Sequence, residues 1–195
     1  MTIPRSLVVG DHMLIGDIIA DSFSDDPVNR WVFKEQVAMT PFYTQVARKL
    51  YLPRGYGHVM EDGSGGALWL PPGVKKHIPL WNSIDTAVSM IRHAGFMSIA
   101  RGTGVDEGIA KYKPQEPHYY LFAIGARSNQ QGKGVGGKLM IAGLERADQA
   151  GMPSYLESSK ESNVSFYRRF GFEVIEKVVP TKGCPPFWLM WREAR

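Results

Sequence analysis

Residues Asn129 to Gly151 read NQQGKGVGGKLMIAGLERADQAG, and their glycines fit three phosphate-binding patterns. Gly132, Gly134 and Gly137 spell G-x-G-x-x-G, with Glu157 about 20 residues further on, where a dinucleotide fold keeps its ribose-binding acid. That turn follows its strand directly, however, whereas Arg127 to Gln131 intervene here, and too little chain follows Glu157 for the further strand–helix units such a fold needs. Gly132 to Lys138 also reads G-x-x-x-x-G-K, but Leu139 stands where a hydroxyl must hold magnesium. The third pattern, Q-x-x-G-x-G over Gln131 to Gly136, asks only for a helix start. The first turn of a helix offers backbone N–H groups without intrahelical partners, and the dipole adds about half a positive charge there. A pyrophosphate suits that end. Glycines at 132, 134 and 136 let the backbone approach phosphate oxygens and accept positive φ, and Lys133 and Lys138 add positive charge.

Outward from this turn the periodicity is legible in both directions. The following helix buries Gly136, Leu139, Met140, Gly143, Leu144 and Ala147, and Gly151 with Pro153 ends it. A strand, HYYLFAIGA (118–126), precedes it. After it come strand SYLESS (154–159), a short helix from about Asn163 to Phe170 closed by Gly171, strand FEVIEKVV (172–179), a turn TKGCPP (181–186) and strand FWLMWRE (187–193). Near the N-terminus, Ile15, Ile18, Ile19 and Phe23 share one helical face, with Asp11 placed as a cap and Asp25-Asp26-Pro27 as a stop. A second helix carries Met39, Phe42, Tyr43, Val46 and Leu50, with Pro41 in its first turn. YGHVME (56–61) and GALWLP (66–71) flank DGSG as a hairpin. Between Val74 and Pro117, Ile84, Ala87, Val88 and Ile91 suggest one helix, while GFMSIARGTGVDEG (95–108) shows no period.

The 195 residues, 44% hydrophobic and 22% charged, suit one globular domain. No run of the roughly 20 apolar residues that span a bilayer occurs, and MTIPRSLVVGDHML lacks a secretory pattern, so a cytoplasmic protein without a membrane partner is expected. The single cysteine, Cys184, lies between Gly183 and Pro185 and reads as a packed or loop residue; with five histidines and no second cysteine, no structural zinc site of the usual kind is available and no metal is expected. The net charge of +4 suits an anionic ligand or a nucleic acid. The basic residues are scattered and carry no nucleic-acid signature, which favours a small anionic ligand and no nucleic acid.

The Q-x-x-G-x-G turn together with YLESSKESNVSFYRRFGFEV (155–174) resembles the GNAT superfamily of acetyl-coenzyme A dependent N-acetyltransferases. The likeness is strong from His118 to Arg195 and architectural before it. Details such as LWLPPG (68–73) are most similar to the branch that includes puromycin N-acetyltransferase; GARSNQ (125–130) departs from it, with Ala126, Arg127 and Ser128 where relatives carry Val, an acid and Pro. The resemblance implies an α/β fold with a single mixed, mostly antiparallel sheet flanked by helices. Within one domain, residues 1–73 would supply N-terminal helices and a hairpin, 74–117 a variable acceptor-side segment and 118–195 the cofactor-binding core. Acetyl-CoA would be the donor and an amine the acceptor, in a monomer or a homodimer. The donor would be held by Ile124, Ala126, Gln131, Gly132, Lys133, Gly134, Val135, Gly136, Gly137, Lys138, Asn163 and Tyr167.

Acetyl transfer needs a neutral amine, a polarised thioester carbonyl and a proton for the departing thiolate. Freeing an alkyl amine of its proton at pH 7 costs about 4 to 5 kcal/mol. Glu157 is the candidate base, its alternative being an ion pair with Arg168 or Lys160. Tyr167 is the candidate acid, its alternative a core position beside Phe166 and Phe170, which are assigned to the core. A strand N–H from Ala126 or a neighbour would polarise the carbonyl. On the acceptor side His118, Tyr119 and Asp26 are candidates: His118 either structural or lining the substrate, Asp26 with Asp25 either attracting a cationic amine or simply stopping the helix. Trp31, Trp69 and Trp81 fit a pocket wall or the core. A domain of this fold that only senses coenzyme A or binds a protein is the alternative function, and a nucleic-acid binder a third.

Overall fold

The computed structural model describes residues 2–33, 35–74, 92 and 95–195. Its sheet grows from the hairpin: β2 (Tyr56–Met60) and β3 (Gly65–Leu70) pair antiparallel with Tyr56 opposite Trp69, around a turn in which Gly63 takes a φ of 71° and the Asp62 carboxylate accepts the Ser64 N–H at 3.0 Å. A short strand that periodicity could not reveal, β1 (Pro4–Ser6), adds to the β2 edge. Next come β4 (Tyr119–Ala126), β5 (Ser154–Ser158), β6 (Glu173–Val178) and β7 (Phe187–Arg192). Among the described residues they form one sheet of order β1-β2-β3-β4-β5-β7-β6, antiparallel except where β4 meets β5. The fold is therefore the mixed, mostly antiparallel α/β sheet expected.

One face of the sheet is covered by α1 (His12–Ser22), α2 (Pro27–Phe33), α3 (Met39–Val46, continuing through a π turn at Ala47–Tyr51 to Leu52–Arg54) and α4 (Phe96–Ala110). The other is covered by α5 (Val135–Gln149) and α6 (Val164–Arg168). Ile15, Ile18 and Ile19 of α1 are fully buried, and Gly16 lets α1 touch α3: a Cβ there would lie 2.2 Å from the Thr44 hydroxyl and 2.7 Å from its Cα.

Three local readings change. Asp11 does not cap α1; its carboxylate takes two hydrogen bonds from Arg5, at 2.8 and 2.9 Å, and one from the Val8 N–H at 2.9 Å. Asp26-Pro27 is a start as much as a stop: Asp26 accepts the Asn29 N–H at 2.8 Å as the cap of α2, with Pro27 at the first helical position. And the aperiodic stretch from Gly95 becomes α4, whose Gly108 is a point of close contact. Gly108 presses on the Pro180 carbonyl, where a Cβ would come within 2.2 Å, and Gly102 and Gly104 face Val32 and Thr181. Tertiary contact here outweighs helix propensity. The helix expected around Ile84 to Ile91, and Trp81, lie outside the described residues.

Candidate active site

The parallel pair β4–β5 is registered at Tyr119↔Ser154, Tyr120↔Tyr155 and Leu121↔Leu156, and there the pairing stops although both strands continue. The cause sits on the other edge of β4. Leu121 is opposite Trp69 and Ala123 opposite Leu68, so Phe122 is an extra residue, a bulge that bends and twists β4 away from β5. Side chains record it: Tyr120 and Ala123 belong to the core of the α1–α4 face, Leu121 and Ile124 to that of the α5–α6 face. Beyond Leu121, β4 stays bound to β3 as far as Ala126, and beyond Leu156, β5 stays bound to β7 as far as Ser158. The facing strand edges thus open into a gap whose main-chain N–H and C=O groups are available to a ligand. A cavity of about 1310 Å³ fills the gap and draws its lining from both faces of the sheet. That exceeds the space one small ligand usually occupies.

On the α5 side the lining is the glycine turn. Gly132 and Gly134 have φ of 74° and 80°, and Gly134 is the residue before α5, so the open N–H groups of the first turn belong to Val135, Gly136 and Gly137. Gln131 lines the cavity with them. Phe166 and Phe170 are only partly buried; they pack over this turn, Phe166 so closely that a Cβ on Gly136 would stand 3.3 Å from its ring. The two lysines are turned elsewhere: Lys133 Nζ donates to the Asn129 carbonyl (3.0 Å) and Gln130 Oε1 (3.2 Å), Lys138 Nζ to the Thr2 carbonyl (2.9 Å), and neither lines the cavity. The departure in GARSNQ has a structural counterpart. Arg127 Nε donates to the Gly63 carbonyl at 3.0 Å and its guanidinium to Asp17 at 2.7 Å, while the Ser128 N–H donates to Asp21 at 2.8 Å. Helix α1 thereby holds the segment leading into the turn.

In the middle of the cavity Ile124 and Ala126 come from β4, Asn163 and Tyr167 from α6 and its leading turn, and Glu157 from β5. Tyr167 is 8% exposed and stands edge-on to Phe166 and Phe172, yet its hydroxyl makes no hydrogen bond to any described residue. Burial first, then the charge of Asp26, pushes its pKa above the usual phenol value, so it stays protonated at neutral pH. Glu157 accepts the Tyr120 hydroxyl at 2.9 Å; Lys160 is held by Asp25 at 2.5 Å and Arg168 by Glu173 at 3.4 Å. Tyr120 is pushed well above the usual phenol pKa by burial and then by Glu157.

Asp26 lines the cavity from the α1–α2 corner, 2% exposed, accepting hydrogen bonds from the Asn29 N–H and side chain and from the Ser159 hydroxyl. Asp106 and Lys113 line the same side, Lys113 lying 4.6 Å from the Tyr120 ring. His118 and Tyr119 do not line the cavity. His118 packs edge-on to Tyr155 and Trp191, bonded through Nδ1 to the Glu116 carbonyl at 2.6 Å, and Tyr119 packs on Tyr56. Trp69 is fully buried. Tyr120, Asn29, Ser159 and the bulged Phe122 had no sequence signal, since each matters only through a partner far along the chain. Among the described residues, no group of three His, Cys, Asp or Glu side chains is placed to hold a metal, and no helix is long and apolar enough to cross a membrane.

Residues 83–172 match the Acetyltransferase (GNAT) family profile. An uncharacterized N-acetyltransferase, C550.08, of Schizosaccharomyces pombe is 28% identical over 199 residues, spanning 88% of this chain and 74% of its own length. In fold the chain is similar to a crystal structure described as histone acetyltransferase HPA2 and related acetyltransferase from Corynebacterium glutamicum (TM-score 0.75, 21% identity, 100% of this chain and 97% of that one). It is also similar to the polyamine N-acetyltransferase of Drosophila melanogaster, an enzyme that forms N-acetylagmatine (TM-score 0.62, 13% identity, 99% and 100% covered). Profile, relative and fold agree with the split sheet and the glycine turn: residues 83–172 match the acetyltransferase (GNAT) family, and the chain as a whole has the fold of a solved acetyltransferase.

Proposed function

We propose that the protein transfers the acetyl group of acetyl-CoA directly to a primary amine of a small molecule. The observation that supports this best is the continuity of one cavity from the glycine turn of α5, through the β4–β5 gap, to Tyr167 and Glu157. Each part has a chemical use for that donor. The turn offers three unpartnered N–H groups at a helix start, which suits a pyrophosphate. The opened strand edges offer main-chain hydrogen bonds to an amide-bearing arm, and Asn163 lies on the same side as Tyr167. When bound, acetyl-CoA supplies an acetyl thioester whose carbonyl carbon is open to an amine and whose thiolate departs.

Within that frame Glu157 takes the proton of the acceptor, directly or through a water, and passes it to solvent, giving a path to the neutral amine, whose formation at pH 7 costs about 4 to 5 kcal/mol. Tyr120 holds the carboxylate in position by its 2.9 Å hydrogen bond. An N–H of β4 between Phe122 and Ala126, on the edge released by the bulge, meets the carbonyl oxygen. Tyr167, protonated and without a hydrogen bond among the described residues, donates to the departing sulfur. No acetylated side chain is formed. The test is thiol release from acetyl-CoA across an amine panel, with mass spectrometry of the protein during turnover. Amine-dependent release and an unmodified chain are expected; coenzyme A binding without release for any amine would leave a sensing domain instead.

A further inference from the structure

The acceptor half of the cavity, on the α1–α4 face, is apolar in its walls: Val28, Val32, Phe33, Phe42, Tyr43 and Ile109 line it. Its charge is opposite to that of the chain. Asp26, Asp106, Glu107 and Glu157 face it with Lys113, while Lys160 is engaged by Asp25, in a protein of net charge +4. Asp26 differs from the other carboxylates. It is 2% exposed, and its hydrogen bonds come from neutral groups only, the Asn29 N–H and amide and the Ser159 hydroxyl; among the described residues no cation pairs with it. The amide itself is fixed from behind, since Asn29 Oδ1 accepts the Tyr43 hydroxyl at 2.7 Å. A buried carboxylate with only neutral partners is a costly arrangement unless a cation arrives with the ligand.

That cation cannot usefully be the nitrogen that reacts. A carboxylate held against an ammonium favours its protonated form, whereas acylation needs the neutral amine, and Glu157 already stands at the gap to take that proton. We propose that Asp26 binds a second, non-reacting cationic centre, so that the acceptor is a dication with an aliphatic spacer: a diamine, or an amine that also carries a guanidinium. The spacer lies against the apolar wall, one end is acetylated in the β4–β5 gap, and the other is held by Asp26. Acetylation removes the charge of the reacting end and leaves that of the held end, so the product leaves as a monocation.

The inference rests on the acetyltransferase reading, and one experiment separates the two. Rates of thiol release are compared for cadaverine against pentylamine, putrescine against butylamine, and agmatine, with wild-type protein and Asp26→Asn. The asparagine keeps an oxygen for the Asn29 N–H and removes the charge; the acceptor of the Ser159 hydroxyl becomes an amide NH2, a change common to the monoamine and diamine measurements. Wild type is expected to prefer the dication of each pair by tenfold or more in kcat/KM, through KM. In Asp26→Asn the KM of the dications rises about tenfold to a hundredfold, the range of a lost charge-assisted hydrogen bond, and the preference falls to within about threefold. Wild-type turnover of the monoamines as efficient as that of the dications overturns the inference and leaves the acetyltransferase reading intact, and needs no variant to fold. A preference that survives Asp26→Asn, or a kcat loss equal for mono- and diamines, overturns it as well. Release with no amine at all defeats the underlying reading.

Discussion

Replacing Gly134 by Asp, with Gly134→Asn as its neutral isostere, sets folding and donor binding against each other. Gly134 sits at φ 80°, ψ 1° just before α5, and a Cβ there meets nothing within 4 Å. The cost to folding is therefore conformational alone, of order 1 kcal/mol or less, because Asn and Asp tolerate the left-handed region better than other side chains. The aspartate regains about 0.3 to 1 kcal/mol from the helix dipole that the asparagine does not. At about 2 to 4 °C per kcal/mol for a chain of this size, both variants melt within a few degrees of wild type, Asp at or above Asn. Binding moves the other way. A unit charge roughly 5 Å from a pyrophosphate charge is opposed by about 0.8 kcal/mol in water and about 3 at an effective dielectric near 20. The turn is exposed, so the lower half of that range applies to each of two phosphate charges, giving about 2 to 3 kcal/mol and a loss of about 30- to 150-fold for Asp relative to Asn. Titration calorimetry with coenzyme A reads the affinities and a thermal melt the folding. If folded Gly134→Asp binds coenzyme A within threefold of Gly134→Asn, the pyrophosphate does not lie at this helix start.

Tyr167→Phe is expected to lower kcat by roughly a hundredfold or more while coenzyme A affinity stays within about threefold and the melt hardly moves, since the hydroxyl has no hydrogen bond among the described residues; undiminished kcat would end its role as acid. Asp21→Ala removes the acceptor of the Ser128 N–H and hydroxyl and should weaken coenzyme A by about five- to thirtyfold in calorimetry, whereas an unchanged affinity would show that the turn holds its shape without α1. Gly16→Ala forces a methyl into Thr44, whose backbone cannot withdraw cheaply, and should cost about 1 to 3 kcal/mol, a fall of about 3 to 10 °C in Tm; a smaller fall would mean that α1 and α3 slide apart freely. Burial holds His58 and His118 below the usual imidazole pKa of 6.5, so the unfolded chain takes up protons there before the folded one does. Their contribution to stability is complete above about pH 6.5 and is lost as pH falls, so urea midpoints should begin to drop between about pH 6.5 and 5; a midpoint flat until carboxylates titrate near pH 4 would refute it.

What the sequence disclosed was whatever a short window determines. The hairpin around Asp62-Gly63, the α5 stripe from Leu139 to Ala147 and its closure, where Gly151 takes φ 57° and the Met152 N–H reaches the Ala147 carbonyl, are local in cause and were legible. So was the glycine turn. Asp26 was legible as a breaker but not as the cap of α2, because stop and start share the same residue chemistry when two helices meet at a corner. Helix α4 was illegible for a stronger reason: Gly102, Gly104 and Gly108 argue against a helix by propensity, and only Pro180, brought from a distant segment, explains why a small residue is required at Gly108. The bulge at Phe122 left no trace in HYYLFAIGA, since the residues on both faces of β4 are apolar and alternation carries no information there.

The two halves of the cavity differ in the same way, and this bears on how acceptor choice is set. The half proposed for the donor is contributed by a turn and helix start that fold from neighbouring residues. The half proposed for the acceptor is assembled from Asp26, Asp106 and Glu157, on elements far apart in sequence and joined only in the folded chain. Substitutions on α2 or α4 should therefore alter acceptor KM and leave coenzyme A affinity nearly additive with them, as sites without shared partners are. Helix α1 is the exception. Its Asp17 and Asp21 hold Arg127 and Ser128 at the entrance to the glycine turn, while its end runs through Phe23 to Asp26 at the acceptor wall. A shift of α1 is felt in both halves, so energetic coupling between donor and acceptor, measured as a change in acceptor KM with coenzyme A saturation, should vanish when Asp17 and Asp21 are removed together rather than when residues in either half are.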